Sequence, residues 1–192
     1  MHAVVRQVPE EWLEERARLG HDRWDELWDG VLHVPPPPSF DHQSLGTELV
    51  MFLGARLRAH GIRVVYETGL YRPGKAHLDY RVPDLSFIPL DPPPGLITSR
   101  GIEGAALAVV ELLSPDDETY EKLPFYASVG VREVIVVDPT TRAVEVFRLA
   151  GTTYVAVSAD ERGRVHAATL DVRCSTVDGK LHVEHRGDVA DL

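Results

Sequence analysis

The run Ala106–Leu113, ALAVVELL, constrains this chain more than any other stretch. It has the length of a strand and is apolar throughout except for one carboxylate, Glu111. A charged group in a buried strand costs several kcal/mol or more unless something pairs with it or coordinates it. Whatever sheet takes up this strand must therefore bring a partner to Glu111. Ser114-Pro115 stops the strand, an acidic turn over Asp116, Asp117 and Glu118 follows, and Lys122 arrives as a helical pattern begins. Upstream, Asp84 in Val82-Pro83-Asp84-Leu85 opens a second apolar run. Two acids on neighbouring strands together with a lysine can hold a metal ion and run hydrolysis.

At 192 residues the chain is expected to form one domain, or one domain with an appendage. No apolar run approaches the ~20 residues that span a bilayer, so no membrane segment is expected. The first twenty residues carry acids and lack an apolar core, which argues against a signal peptide. A single cysteine, Cys174, excludes an intrachain disulfide and suits a reducing cytoplasm. The formal charge of −10 is awkward for a nucleic-acid partner, which calls for a basic footprint. The segment from Arg56 to Arg81 runs the other way: Arg56, Arg58, Arg63, Arg72, Lys75 and Arg81 stand against Glu67 and Asp79. A locally basic face and scattered surface charge account for it equally well.

In chain order, Glu10–Leu19 reads as a short helix with Trp12, Leu13 and Leu19 as its buried positions. Arg23–Val34 reads as a hairpin around the turn Asp29-Gly30. Pro35–Pro38 is a stiff extended connector. A helix capped by Ser39 or Asp41 runs to about His60 on Leu45, Leu49, Phe52, Leu53 and Leu57. Arg63–Tyr71 and Val82–Leu90 read as strands, and the long loop from Asp91 to about Gly104 as a lid or binding element. A helix over Glu121–Val129 puts Lys122, Phe125, Tyr126 and Val129 on one side. Strands at Val131–Val137, Ala143–Leu149, Tyr154–Ser158 and Val165–Val172 follow, then a short segment with Leu181 and Val183 and a mobile acidic tail. This mixture predicts an α/β or α+β fold, one central mixed β-sheet flanked by helices.

Hard oxygen donors on adjacent strands suit Mg²⁺ or Mn²⁺, and the Leu112 carbonyl is the natural third protein ligand beside Asp84 and Glu111. Lys122 would orient a water or stabilise charge on a phosphate. The residues alone leave a second reading equally open: Glu111 and Lys122 form a buried ion pair and Asp84 caps a turn. Glu48 and Glu67 are acids that could join the site; Glu48 reads better as solvated, Glu67 is open to either reading, and Ser114 reads as a plain turn residue sooner than as a strand-end anchor. His182 and His185 fall on opposite faces of a strand and make no metal pair.

Val82-Pro83-Asp84, then Val110–Pro115, Lys122–Ala127 and Gly130–Pro139 resemble the Uma-type restriction endonuclease family of the PD-(D/E)XK nuclease superfamily. The likeness extends back to Asp29–Leu32, the proline run and His42-Gln43, and covers about Trp24 to Leu149. It implies a restriction-endonuclease-like core at about 24–149 within a single domain 1–192, with a C-terminal β extension at about 150–192. It also implies Mg²⁺- or Mn²⁺-dependent hydrolysis of phosphodiester bonds, in DNA before RNA; cutting both strands favours a homodimer. By motif, Asp84 and Glu111 become metal ligands, Lys122 the catalytic lysine, and His42 and Glu118 residues of the cleft. Two departures stand out. The superfamily's lysine lies two residues after the glutamate, where this chain has Leu113, and Glu118 replaces an aspartate one helical turn before Lys122. The alternative is a nuclease fold kept as a catalytically silent nucleic-acid-binding or interaction module.

Overall fold

The strand at the centre is Ala108–Leu112, every residue of it buried. The computed structural model describes residues 3–75, 78–115 and 118–192, so Asp116 and Asp117 of the acidic turn lie outside the described residues. In the central sheet the order is Thr153–Ala156, Val144–Ala150, Glu133–Val137, Ala108–Leu112, Leu85–Pro89 and Ile62–Tyr66. All neighbours are antiparallel except Ala108–Leu112 and Glu133–Val137, which are parallel. A parallel pair needs a crossover. It is made by a 3₁₀ turn, Tyr120–Lys122, running into a short helix, Leu123–Val129, with Pro124 in its first turn and Gly130 closing it at φ 90°. The crossover thereby carries Lys122 back over the face on which Glu111 lies.

Alternation sorts the central strand between two cores. Ala108, Val110 and Leu112 face Leu45, Leu49, Phe52, Leu53 and Leu57 of the long helix Phe40–Arg58. Val109 faces Phe125 and Tyr126 of the crossover helix, together with Val134 and Val136. The long helix starts where Ser39 accepts a bond from the His42 N–H, an N-cap that fixes the helix end bearing His42 and Gln43.

A second sheet, in the order Ala3–Val5, Val31–Val34, Glu26–Trp28, Tyr80–Arg81, Leu70–Tyr71 and Ile102–Glu103, forms one wall of the site. Its hairpin turns at Asp29 and Gly30, both with positive φ, as the sequence predicts. A third sheet, Val165–Ala167, Val172–Val177, Lys180–His185 and Asp188–Asp191, contributes Val172, Cys174, Leu181 and Val183 to the core of the long helix.

Several expectations change. Arg63–Tyr71 is not one strand: the chain leaves the central sheet after Tyr66, bends through Glu67 at φ 42°, and resumes as Leu70–Tyr71 in the second sheet. Val165–Val172 is likewise two strands, turned at Asp171 with φ 55°. The tail is not loose, since Leu181 and Leu192 exchange both backbone hydrogen bonds. The helix Glu10–Leu19 has the expected bounds but no buried residue; Trp12 and Leu19 are exposed. Basic residues of the Arg56–Arg81 segment are spent on local acids: Arg56 on Asp188, Arg72 and Arg81 on Asp79, Lys75 on Asp29.

Candidate active site

Strand register brings the two acids together. Leu85 pairs with Val110, so Asp84 falls opposite Glu111 one step beyond the last bonded pair. Asp84 Oδ2 accepts the Leu112 N–H at 2.6 Å, which ties it to the neighbouring strand, and its Oδ1 lies 3.3 Å from His42 Nε2. Glu111 is 2% exposed. It accepts bonds from the Tyr126 hydroxyl and, at 3.1 Å, from Lys122 Nζ. Lys122 therefore does reach back from the crossover, taking up the space beside Glu111 that Leu113 cannot serve.

A third acid completes the arrangement, and sequence reasoning passed over it. Glu26 Oε1 lies 3.0 Å from Lys122 Nζ and accepts the Val82 N–H at 2.8 Å, while its Oε2 accepts Trp28 Nε1 at 2.8 Å. Trp28 is held in turn by stacking on His33, with ring centres 4.1 Å apart, and by the Arg81 guanidinium 4.3 Å from its ring centre. The signal was present in the hairpin: Glu26 sits between Trp24 and Trp28 on one strand face, an acid where an apolar residue belongs.

These residues line a cavity of about 150 Å³. Its walls include Trp24, Glu26, Trp28 and His33 from the hairpin, Pro35, Pro36 and Pro38, and His42 from the long helix. Glu67, Asp84, Glu111, Leu112, Ser114, Glu118 and Lys122 complete them. The proline run is thus a wall of the site as well as a connector. Glu118 takes part through His33, whose Nδ1 lies 2.6 Å from its carboxylate. Glu67, open from sequence to a site or a solvated role, and Ser114, read as a plain turn, both face the cleft, whereas Glu48 does not line it. The Asp91–Gly104 loop lines no part of this cleft and borders a separate hollow with Pro73.

One cation shared among carboxylates governs the electrostatics. Burial disfavours a charged Lys122, but Glu111, Glu26 and Asp84 outweigh that and hold its pKa above the ordinary lysine value. Glu111 is pushed the opposite way from a simple ion pair. Burial raises it, Lys122 pulls it down, and Asp84 and Glu26 push it up again, leaving it above the ordinary carboxylate range. The two directions agree: burial alone raises Glu111 and its single cation does not offset it, whereas three anions together outweigh the burial of Lys122. For His42 burial opposes the charged ring, and Asp84, the Leu112 carbonyl and Glu111 overcome it, raising the pKa. Tyr126 is raised by burial and by Glu111 and Glu26, so its hydroxyl keeps the proton it donates to Glu111.

The donor set suits a hard divalent cation. Asp84 and Glu111 supply carboxylate oxygens, the Leu112 carbonyl lies beside them, and an ion such as Mg²⁺ takes one or two carboxylates and retains several waters. Among the described residues no group of three or more His, Cys, Asp or Glu side chains is placed to hold a metal, so such an ion would keep much of its water.

The sequence profile of the Uma2 family, described as "Putative restriction endonuclease", matches residues 12–178. The chain belongs to the Uma2 family. No curated protein matches it. Among solved structures, this Uma2 chain is similar to a crystal structure described as "a putative nuclease belonging to DUF820" from Anabaena variabilis. The two share 19% identity and superpose with a TM-score of 0.59 over 77% of this chain and 83% of that one. At that identity the likeness carries the fold, a nuclease fold of mixed sheets flanked by few helices. Among the described residues no helix is long and apolar enough to cross a membrane.

Proposed function

We propose that this Uma2 protein is an endonuclease that hydrolyses phosphodiester bonds in DNA with a divalent cation, Mg²⁺ or Mn²⁺. The family supports a nuclease. The observation that carries the finer reading is the convergence of Asp84, Glu111 and Lys122 on one cleft, the acids from two adjacent strands and the lysine from the crossover that follows the Glu111 strand.

A phosphodiester entering this cleft meets Glu26, Glu67, Asp84, Glu111 and Glu118. A like-charged pair at about 4 Å costs ~4 kcal/mol at an effective dielectric near 20, so the substrate needs compensating cations. Asp84, Glu111 and the Leu112 carbonyl would hold the divalent ion. When bound, that ion supplies neutralisation of phosphoryl charge and a more acidic water. Lys122, kept protonated by its carboxylates, stabilises the charge that builds on the phosphoryl oxygens. Glu26 fixes the Lys122 ammonium, Tyr126 fixes the Glu111 carboxylate, and the Leu112 N–H with His42 fixes Asp84, so the charged groups need little reorganisation.

A metal titration followed by melting tests the reading. Mg²⁺ or Mn²⁺ at millimolar concentration is expected to raise the melting temperature of the wild type and leave Asp84→Ala unmoved; no shift in the wild type would refute it. One observation favours the second reading, a nuclease fold without turnover: the Lys122 ammonium bridges Glu111 and Glu26 directly, at 3.1 and 3.0 Å, as a structural ion pair would. That protein would bind DNA equally in EDTA and cleave under no ion condition.

A further inference from the structure

The cleft is richer in carboxylates than in cations, and its one lysine is shared between Glu26 and Glu111. Nucleic acids are held largely through backbone phosphates on either side of the reacting one, by arginines, lysines and hydrogen-bond donors. Of the six basic residues between Arg56 and Arg81, Arg56, Arg72, Lys75 and Arg81 are committed to Asp188, Asp79 and Asp29, and neither Arg58 nor Arg63 lines the cleft.

Arg23 is placed differently. Its side chain is 66% exposed, its Nη2 donates to Glu67 Oε2 at 3.1 Å, and its guanidinium carbon lies 5.0 Å from the Trp24 ring centre. Glu67 and Trp24 both line the cleft, so the guanidinium stands at its mouth. The bond to Glu67 uses one of the five N–H donors that a guanidinium carries. Glu67 itself is firmly built. Its side chain is buried, Gln43 Nε2 donates to its other oxygen at 2.7 Å, and the Tyr66 hydroxyl donates to Gln43 Oε1. Its backbone sits at φ 42° while its N–H donates to the Asp84 carbonyl at 2.9 Å. A left-handed non-glycine residue costs on the order of 1 kcal/mol or more, and such positions persist where the surroundings fix them. Here the bend directs a buried carboxylate towards an exposed arginine.

We infer that Arg23 is a substrate-binding residue: it contacts a backbone phosphate flanking the scissile one, oriented by Glu67 and by stacking on Trp24. The inference rests on the nuclease reading and adds where the strand lies, across the hairpin side of the cleft. A planar guanidinium already ordered by two neighbours loses less freedom on meeting a phosphate than a free one does.

The test is binding of a fluorescein-labelled DNA oligonucleotide, single- and double-stranded, followed by anisotropy with Ca²⁺ present between about 50 and 200 mM NaCl. Wild type is expected to lose affinity steeply with salt. Arg23→Gln is expected to show a log–log slope shallower by about 1 and affinity weaker by about tenfold near 0.1 M salt. Arg23→Lys keeps the charge and is expected to keep the wild-type slope. Arg23→Gln takes the cation away from buried Glu67 and is expected to melt below the wild type, whereas Arg23→Lys should melt close to it, so binding is compared at a temperature where all three are folded. A folded Arg23→Gln with the wild-type slope and affinity, or an Arg23→Lys with the shallower slope, overturns the inference and leaves the nuclease reading standing. A wild type that binds neither form of DNA overturns the nuclease reading itself.

Discussion

Lys122 lies between Glu26 and Glu111, so its position depends on an acid that does not border it in sequence. Groups that orient a reacting residue typically cost 10–100-fold when removed. Glu26→Gln is therefore expected to lower kcat by about 10–100-fold while KM moves little; an equal kcat would remove Glu26 from the account. Proton linkage gives a second expectation. Glu111 is raised above its unfolded value, so its contribution to stability is fully present below the unfolded pKa and is lost as pH rises through the folded one. Without metal, the wild-type melting temperature should fall between about pH 5 and about pH 8, and Glu111→Gln should flatten that slope. Melts over this range in EDTA decide it. Cys174 is buried, and burial pushes its thiol up to about 12, so a thiol reagent at pH 8 should modify it only at the rate of global unfolding.

At the scale of elements, the site depends on the close approach of the long helix to the central sheet. Gly46 permits it: a Cβ there would stand 3.0 Å from the Tyr66 ring and 3.4 Å from Leu112 Cδ1. Overpacking of this kind costs about 1–3 kcal/mol. Gly46→Val should lower the melting temperature by roughly 2–12 °C, at about 2–4 °C per kcal/mol for a chain of this size. It should also disturb Gln43 and Glu67 through Tyr66; an unchanged melt would contradict the packing. The helix Phe40–Arg58, the Asp29-Gly30 hairpin and the Glu111 strand were legible in the sequence because each has a local cause: a cap, a turn dipeptide, a buried run. The break at Glu67 was not, because nothing in Tyr66-Glu67-Thr68 forbids an extended backbone; Gln43 and Arg23 impose the bend from distant parts of the chain. Glu26 escaped for a related reason, since only the fold brings the hairpin to Lys122.

At the scale of the whole molecule, the C-terminal strands are wedded to the nuclease core. Val172, Cys174, Leu181 and Val183 complete the packing of the long helix, and buried Glu133 accepts the Ala168 and Thr169 N–H groups. We propose that core and extension fold as one unit. A chain ending near residue 158 should then fail to give a cooperative melt, whereas two separate transitions in the full chain would contradict this. If Asp84, Glu111 and Lys122 form a metal-dependent phosphodiesterase site, nicking of supercoiled plasmid will report it. The wild type should nick in Mn²⁺ or Mg²⁺ and not in EDTA, and Glu111→Ala should lose the activity. Equal nicking by wild type and Glu111→Ala in Mn²⁺ would contradict the account.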